Sequence, residues 1–139
     1  MTDGAAIASA LAVARLRALR MGLVALHKTL IDNERVRYER VNGRIGTAHA
    51  ALRIVLESPW FRWLHPIAEM IVQMDERLSD ETPMQAIDVE AFVDRIRGLL
   101  QRDDGDEEFR REYHRSLQEA PDVVVEHAHV AKLLAAMSG

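Results

Sequence analysis

The sequence predicts an all-α fold, an up-and-down bundle of about five to six helices led by one long N-terminal helix. Three observations carry this reading. No stretch sustains the period-two alternation and β-branched enrichment of a strand. Ala, Leu, Arg and Glu, which lose little on entering a helix, dominate the chain. Apolar residues recur at spacings of three and four, the period that lays one stripe along a helix. The 139 residues, 48% hydrophobic and 29% charged, are expected to form one domain over residues 1–139.

The first helix is expected from about Ala5 to Asn42. Leu16, Leu19, Leu23, Leu26 and Leu30 repeat as a heptad seam, with Ala10, Ala14, Ala18 and Gly22 four apart beside it. Asn33 stands where the seam wants another leucine, and Asn42-Gly43 closes the helix because glycine accepts the left-handed conformation after a C-cap. At 1.5 Å per residue this helix is roughly 55 Å long, about twice the others. Its excess length has to kink, protrude or pack on a second subunit, which leads us to expect a homodimer through it.

A short helix over Ala48 to Glu57 follows, with Thr47 as N-cap. Leu52, Ile54, Val55 and Leu56 surround much of it, so it is expected to be buried. In Ser58-Pro59-Trp60-Phe61-Arg62-Trp63-Leu64-His65-Pro66, Ser58 reads as a cap and Pro59 as a first helical residue. Trp60, Leu64, Ile67, Ile71, Met74 and Leu78 then keep heptad phase through Pro66. That phase favours one kinked helix, and a fresh start at Pro66 is the alternative. Asp88 is expected to cap a helix carrying Val89, Phe92, Val93, Ile96, Leu99 and Leu100. Asp103-Asp104-Gly105-Asp106 reads as a turn before a helix with Phe109, Tyr113 and Leu117 that stops near Ala120-Pro121. The last helix carries Val123, His127, Val130, Leu134 and Met137.

Several function classes drop out. No uncharged apolar run approaches the ~20 residues that span a bilayer, and no membrane association is expected. Ala5 to Ala14 follows Asp3 rather than a basic segment, so it reads as a helix start and not a secretion signal. The chain has no cysteine, which suits a reducing cytoplasm and removes thiol nucleophiles and Cys-ligated zinc. A pI near 5.8 and acids interleaved among Arg35, Arg37, Arg40 and Arg44 argue against nucleic acid as partner. Charge is uneven: residues 1–56 carry nine Lys/Arg against four Asp/Glu, and residues 57–139 carry nine against eighteen. Such a split reads first as ordinary solvated faces, with attraction between helices of the two halves, or a basic end that meets an anionic partner, as the alternatives.

The chemistry is sparse. A carboxylate-bridged di-iron bundle needs two Glu-x-x-His pairs, and only Glu126-x-x-His129 is present. His65, Glu69, Glu126 and His129 make a two-His, two-carboxylate set if their helices are neighbours. His127 lies in an apolar stripe and reads as a hydrogen-bonded core histidine. No serine sits in a nucleophile elbow, no glycine-rich loop follows a strand, and no carboxylate pair singles itself out as acid and base. No cofactor is expected, with a bound metal ion as the alternative.

His27-Lys28-x-Leu30-Ile31-Asp32-x-Glu34-Arg35-x-Arg37-Tyr38-Glu39, then Ser58-Pro59-x-Phe61-x-Trp63-Leu64-x-Pro66 and Asp75-Glu76, resembles a group of small bacterial all-helical proteins of unassigned function over roughly residues 19–137. The resemblance implies no activity and no site residues. The reading that remains is a non-enzymatic interaction or regulatory module, homodimeric through its first helix, with a further protein partner possible. The alternative is a small-ligand or metal site between the first helix and the tryptophan segment, built from Glu34, Tyr38, Trp60, Trp63 and His65.

Overall fold

The structure, a computed structural model, describes residues 2–137. The chain forms α1 (Thr2–Asn42), α2 (Ala48–Glu57), a 3-10 helix (Pro59–Leu64), α3 (His65–Ser79), α4 (Ala86–Gln101), α5 (Glu107–Glu119) and α6 (Pro121–Met137), with no strand among the described residues. Four helices make an up-and-down bundle. Asn33 meets Asp122 at one end of α6 while Gly22 meets Val130 and Leu133 further along it, so α6 runs antiparallel to α1. The pairs Glu34–Trp63 and Arg20–Asp75 fix the 3-10 helix and α3 antiparallel to α1 in the same way. Arg95 to Gln73 and Arg77 to Asp88 then reverse α4 against α3. The pairs Arg20–Asp75 and Arg37–Glu119 link the basic and acidic halves of the chain.

The leucine seam of α1 is the axis of the core. Leu16, Leu19, Leu23, Leu26 and Leu30 are all fully buried, and Ala12 extends the seam toward the N-terminus. At its other end the residue that continues inward is Glu34, not Asn33. Asn33 is half-buried and bonds the Thr29 carbonyl and the Asp122 carboxylate. The straight helix gains phase on a strict heptad, so a step of four from Leu30 keeps the stripe facing inward where a step of three has rotated out. Gly43 ends α1 with φ +88°, and its N–H reaches the Glu39 carbonyl.

Three expectations need correction. First, α2 begins and ends as expected and Thr47 caps it, accepting from the Ala50 N–H at 3.0 Å, but it is not buried. Only Ala51 is enclosed, and Leu52 and Leu56 face solvent, because α2 lies at the end of the bundle and rests mainly on the 3-10 helix. Second, the tryptophan segment is not one kinked helix. Ser58 caps a 3-10 helix that stops at Leu64, and α3 starts afresh at His65 with Pro66 in its first turn. Pro66 has no N–H to donate into a preceding α-turn, whereas the tighter i→i−3 pattern ends naturally with the His65 N–H on the Arg62 carbonyl. This change of helix type turns Phe61, Trp63 and Leu64 inward and leaves Trp60 half-buried. Third, α4 begins two residues before Asp88. Gln85 is its N-cap and Asp88 is the third residue of a capping box, its carboxylate accepting from the Gln85 N–H at 2.9 Å.

A close helix contact lies at Gly22, where a Cβ would stand 2.7 Å from Leu133 Cδ1. Gly22→Val is therefore expected to cost about 1–3 kcal/mol by displacing the Leu133 side chain and crowding Val130. A urea midpoint unchanged from wild type would refute the close approach.

Candidate functional site

The polar centre of the fold lies where α1 leaves the leucine seam. Glu34 is 2% exposed, a buried carboxylate at the end of the leucine seam. Its oxygens accept from Arg37 Nη1 at 3.0 and 3.2 Å, from Arg115 Nη2, and from the Trp63 indole N–H at 3.4 Å. Arg37 is one turn on along α1, Arg115 comes from α5, and Trp63 from the 3-10 helix, so one carboxylate ties three elements. Arg115 in turn holds Glu112 at 3.1 Å and Glu119 at 2.9 Å. Burial works against the charge on Arg115, and the carboxylates of Glu34, Glu119 and Glu112 outweigh that, raising its pKa. A buried carboxylate bonded this fully is a clamp, with no lone pair turned to an open space for a substrate proton.

Around the clamp runs an aromatic chain. Tyr38 meets Trp60 edge-to-face at 5.6 Å and Phe61 at 5.9 Å, and the Arg37 guanidinium lies 5.6 Å from the centre of the Trp60 ring. On the other side Trp63 contacts Phe109 at 5.9 Å, and Phe109 stacks on Tyr113 at 5.3 Å with planes 11° apart. The Tyr113 hydroxyl bonds His127 Nδ1 at 2.6 Å. Burial pushes the Tyr113 phenol well above its ordinary range, so it stays protonated beside the imidazole. The Trp60 indole nitrogen and Arg35 Nε are buried without a partner among the described residues.

Of the five side chains grouped in the sequence as a ligand site, the structure gathers Glu34, Tyr38, Trp60 and Trp63 at the junction of α1 and the 3-10 helix. His65 does not join them. It is exposed at the start of α3 and lines a surface cleft with Arg62, Glu69, Asp106 and Glu108. The metal set is not assembled. His65 and Glu69 face solvent from α3, and Glu126 and His129 lie outside the apolar stripe of α6. The two helices turn Ile67, Met70 and Met74, and Val123, Val130 and Leu134, to the core instead. Among the described residues no three His, Cys, Asp or Glu side chains gather as a metal-binding group. Sequence reasoning missed Arg115. Its only local signs are Glu112 and Glu119 three before and four after it, a spacing ordinary on any helix surface.

No family model matches the chain, and no curated protein or solved structure matches it. No helix is long and apolar enough to cross a membrane among the described residues.

The titratable groups set a pH dependence. Burial lowers the pKa of His27, and burial followed by the nearby His114 charge lowers that of His127. The unfolded chain then takes up protons first as pH falls. The contribution of the two neutral imidazoles is complete above the unfolded value of about 6.5 and is lost as pH drops through and below it. Asp88 and Asp80 are held below the usual carboxylate range chiefly by the backbone N–H groups of Gln85 and Thr82, so their contribution is lost only below about pH 4. Thermal midpoints should fall between pH 7 and 5.5, and fall less in a His27→Gln/His127→Gln variant. A flat wild-type profile across that window would exclude the neutral histidines as its cause.

Proposed function

We propose that this protein is a non-enzymatic binding module that docks a partner on the outward face of α1. One observation carries the reading. On the side of α1 opposite its buried seam, Ile7, Leu11, Ala14, Ala18, Met21 and Ala25 repeat at spacings of four and three, and Ile7, Leu11 and Met21 are 70%, 50% and 68% exposed. A surface helix normally turns polar residues outward, and single exposed apolar residues are ordinary, but a second heptad seam is the pattern of a helix awaiting a partner. The Glu34 clamp supports the non-enzymatic part, since the one deeply buried carboxylate among the described residues is spent on positioning α5 and the 3-10 helix. A second copy of the chain, expected from the length of α1, is one candidate occupant of this face.

The test is a photo-crosslinking amino acid placed at Leu11 or at Met21 in cells, with Glu90 on α4 as control. Discrete adducts from both positions, lost when the other position carries Glu and absent from Glu90, support the reading. An adduct at twice the 15.7 kDa chain mass identifies a second copy. Adducts no different from the control overturn it.

A further inference from the structure

Resting on that reading, we infer that the occupant of the α1 face is an acidic amphipathic helix of another polypeptide, apolar along one stripe and carrying Asp or Glu on both flanks. The geometry of the seam sets the class of partner. The stripe from Ile7 to Ala25 runs along one uninterrupted α-helix for about 27 Å, a straight and narrow apolar surface that a partner helix of similar length matches along its whole extent.

Charge decides what covers it. Arg15 and Arg17 lie on opposite flanks of the stripe, both are exposed, and neither has an ion-pair partner among the described residues. Arg20, the next basic residue, is already held by Asp75. The only carboxylate in the first 27 residues is Asp3. In a helix pair the residues flanking the apolar seam select the partner. A second copy of α1, parallel or antiparallel, would set arginine near arginine with no acid to relieve it, and like charges across an interface disfavour that pairing. A partner with acids on both flanks meets Arg15 on one side and Arg17 on the other. Beside the seam a shallow groove lined by Ala6, Ala10, Val13, Ala14, Arg17 and Pro83 gives its side chains room on the Arg17 side. An anionic membrane is the weaker occupant. The seam lacks aromatic anchors, and residues 57–139, with nine Lys/Arg against eighteen Asp/Glu, would be repelled by such a surface.

The test uses the full chain and two labelled 21-residue peptides with leucine at the seam positions. One carries glutamate and the other lysine at the flanking positions, so that like charges keep each peptide from pairing with itself. Fluorescence anisotropy should show the glutamate peptide binding about tenfold tighter than the lysine peptide, with Arg15→Glu/Arg17→Glu reversing the preference. Leu11→Glu/Met21→Glu should abolish binding of both. Equal binding of the two peptides, or binding that survives Leu11→Glu/Met21→Glu, overturns the inference. So does a wild-type dimer in sedimentation that Arg15→Glu/Arg17→Glu leaves intact, or tighter binding to phosphatidylserine vesicles than to the glutamate peptide. If neither peptide binds while crosslinks from Leu11 and Met21 persist, the acidic-helix inference is overturned and the docking reading stands with a partner of other chemistry. If the crosslinks are absent as well, the docking reading itself falls.

Discussion

Glu34→Ala is expected to destabilise the fold by about 3 kcal/mol, the lower end of the range for breaking a buried ion pair by removing one partner. The carboxylate is 2% exposed, and its removal leaves Arg115 and the Trp63 N–H facing an apolar gap. Arg115 retains Glu112 and Glu119, which is why the lower end applies. For a chain of this size the thermal midpoint should drop by about 10 °C. Glu34→Gln keeps the shape and one acceptor for Trp63, so it should lose less. The clamp also predicts non-additivity. Arg115→Met alone leaves Glu34 with Arg37 as its one remaining cation, while Glu34→Ala/Arg115→Met removes both charges of the buried pair, so the double variant should be more stable than the sum of the single losses implies. A Glu34→Ala loss below about 1 kcal/mol in chemical denaturation would mean that the pair does not hold α5 to α1.

Phe109→Ala is expected to cost about 3–5 kcal/mol, the range for truncating an enclosed aromatic ring. Phe109 is 1% exposed, stacked on Tyr113 and in contact with Trp63. Gly105 packs on the ring from the turn before α5, where a Cβ would come within 2.9 Å of Phe109 Cδ1. Deleting the ring removes the floor under both the turn and the aromatic chain. Trp63 emission should shift to the red as water reaches the indole, and Phe109→Leu should recover most of the stability by refilling the volume. Unchanged emission together with a loss under about 1 kcal/mol would place Phe109 outside the core.

Much of this fold is legible in the residue order. The seam from Leu16 to Leu30, the stop at Gly43, the cap at Thr47 and the end of α5 before Pro121 depend on neighbours within one or two turns, and the structure has each of them. The tryptophan segment is harder to read. Trp60, Leu64 and Ile67 are spaced as an α-helical stripe, but at about three residues per turn a 3-10 helix takes Trp60 off the face of Leu64 and turns Phe61 and Trp63 inward, which the spacing does not reveal. The apolar α2 misleads for another reason. Its composition is that of a buried helix, but whether Leu52 and Leu56 meet a partner depends on where the end of the bundle falls.

The candidate site divides along the same line. Glu34, Tyr38, Trp60 and Trp63 are recognisable as a polar and aromatic group because α1 places two of them on one face and Pro59 sets the register of the others. Arg115 is some eighty positions away from Glu34 in the chain, and His65 is two residues from Trp63, yet the first joins the clamp and the second points to solvent. By itself the sequence determined the all-helical class, the caps at Thr47 and Gly43 and the inward stripe of α1, since these follow from local backbone chemistry and from the period of apolar residues. Only the tertiary structure decided which charges are buried together and which apolar stripe of α1 is left uncovered. Those outcomes depend on how helices distant in sequence cross, and a partner for Glu34 or for Leu11 is a matter of distance in space.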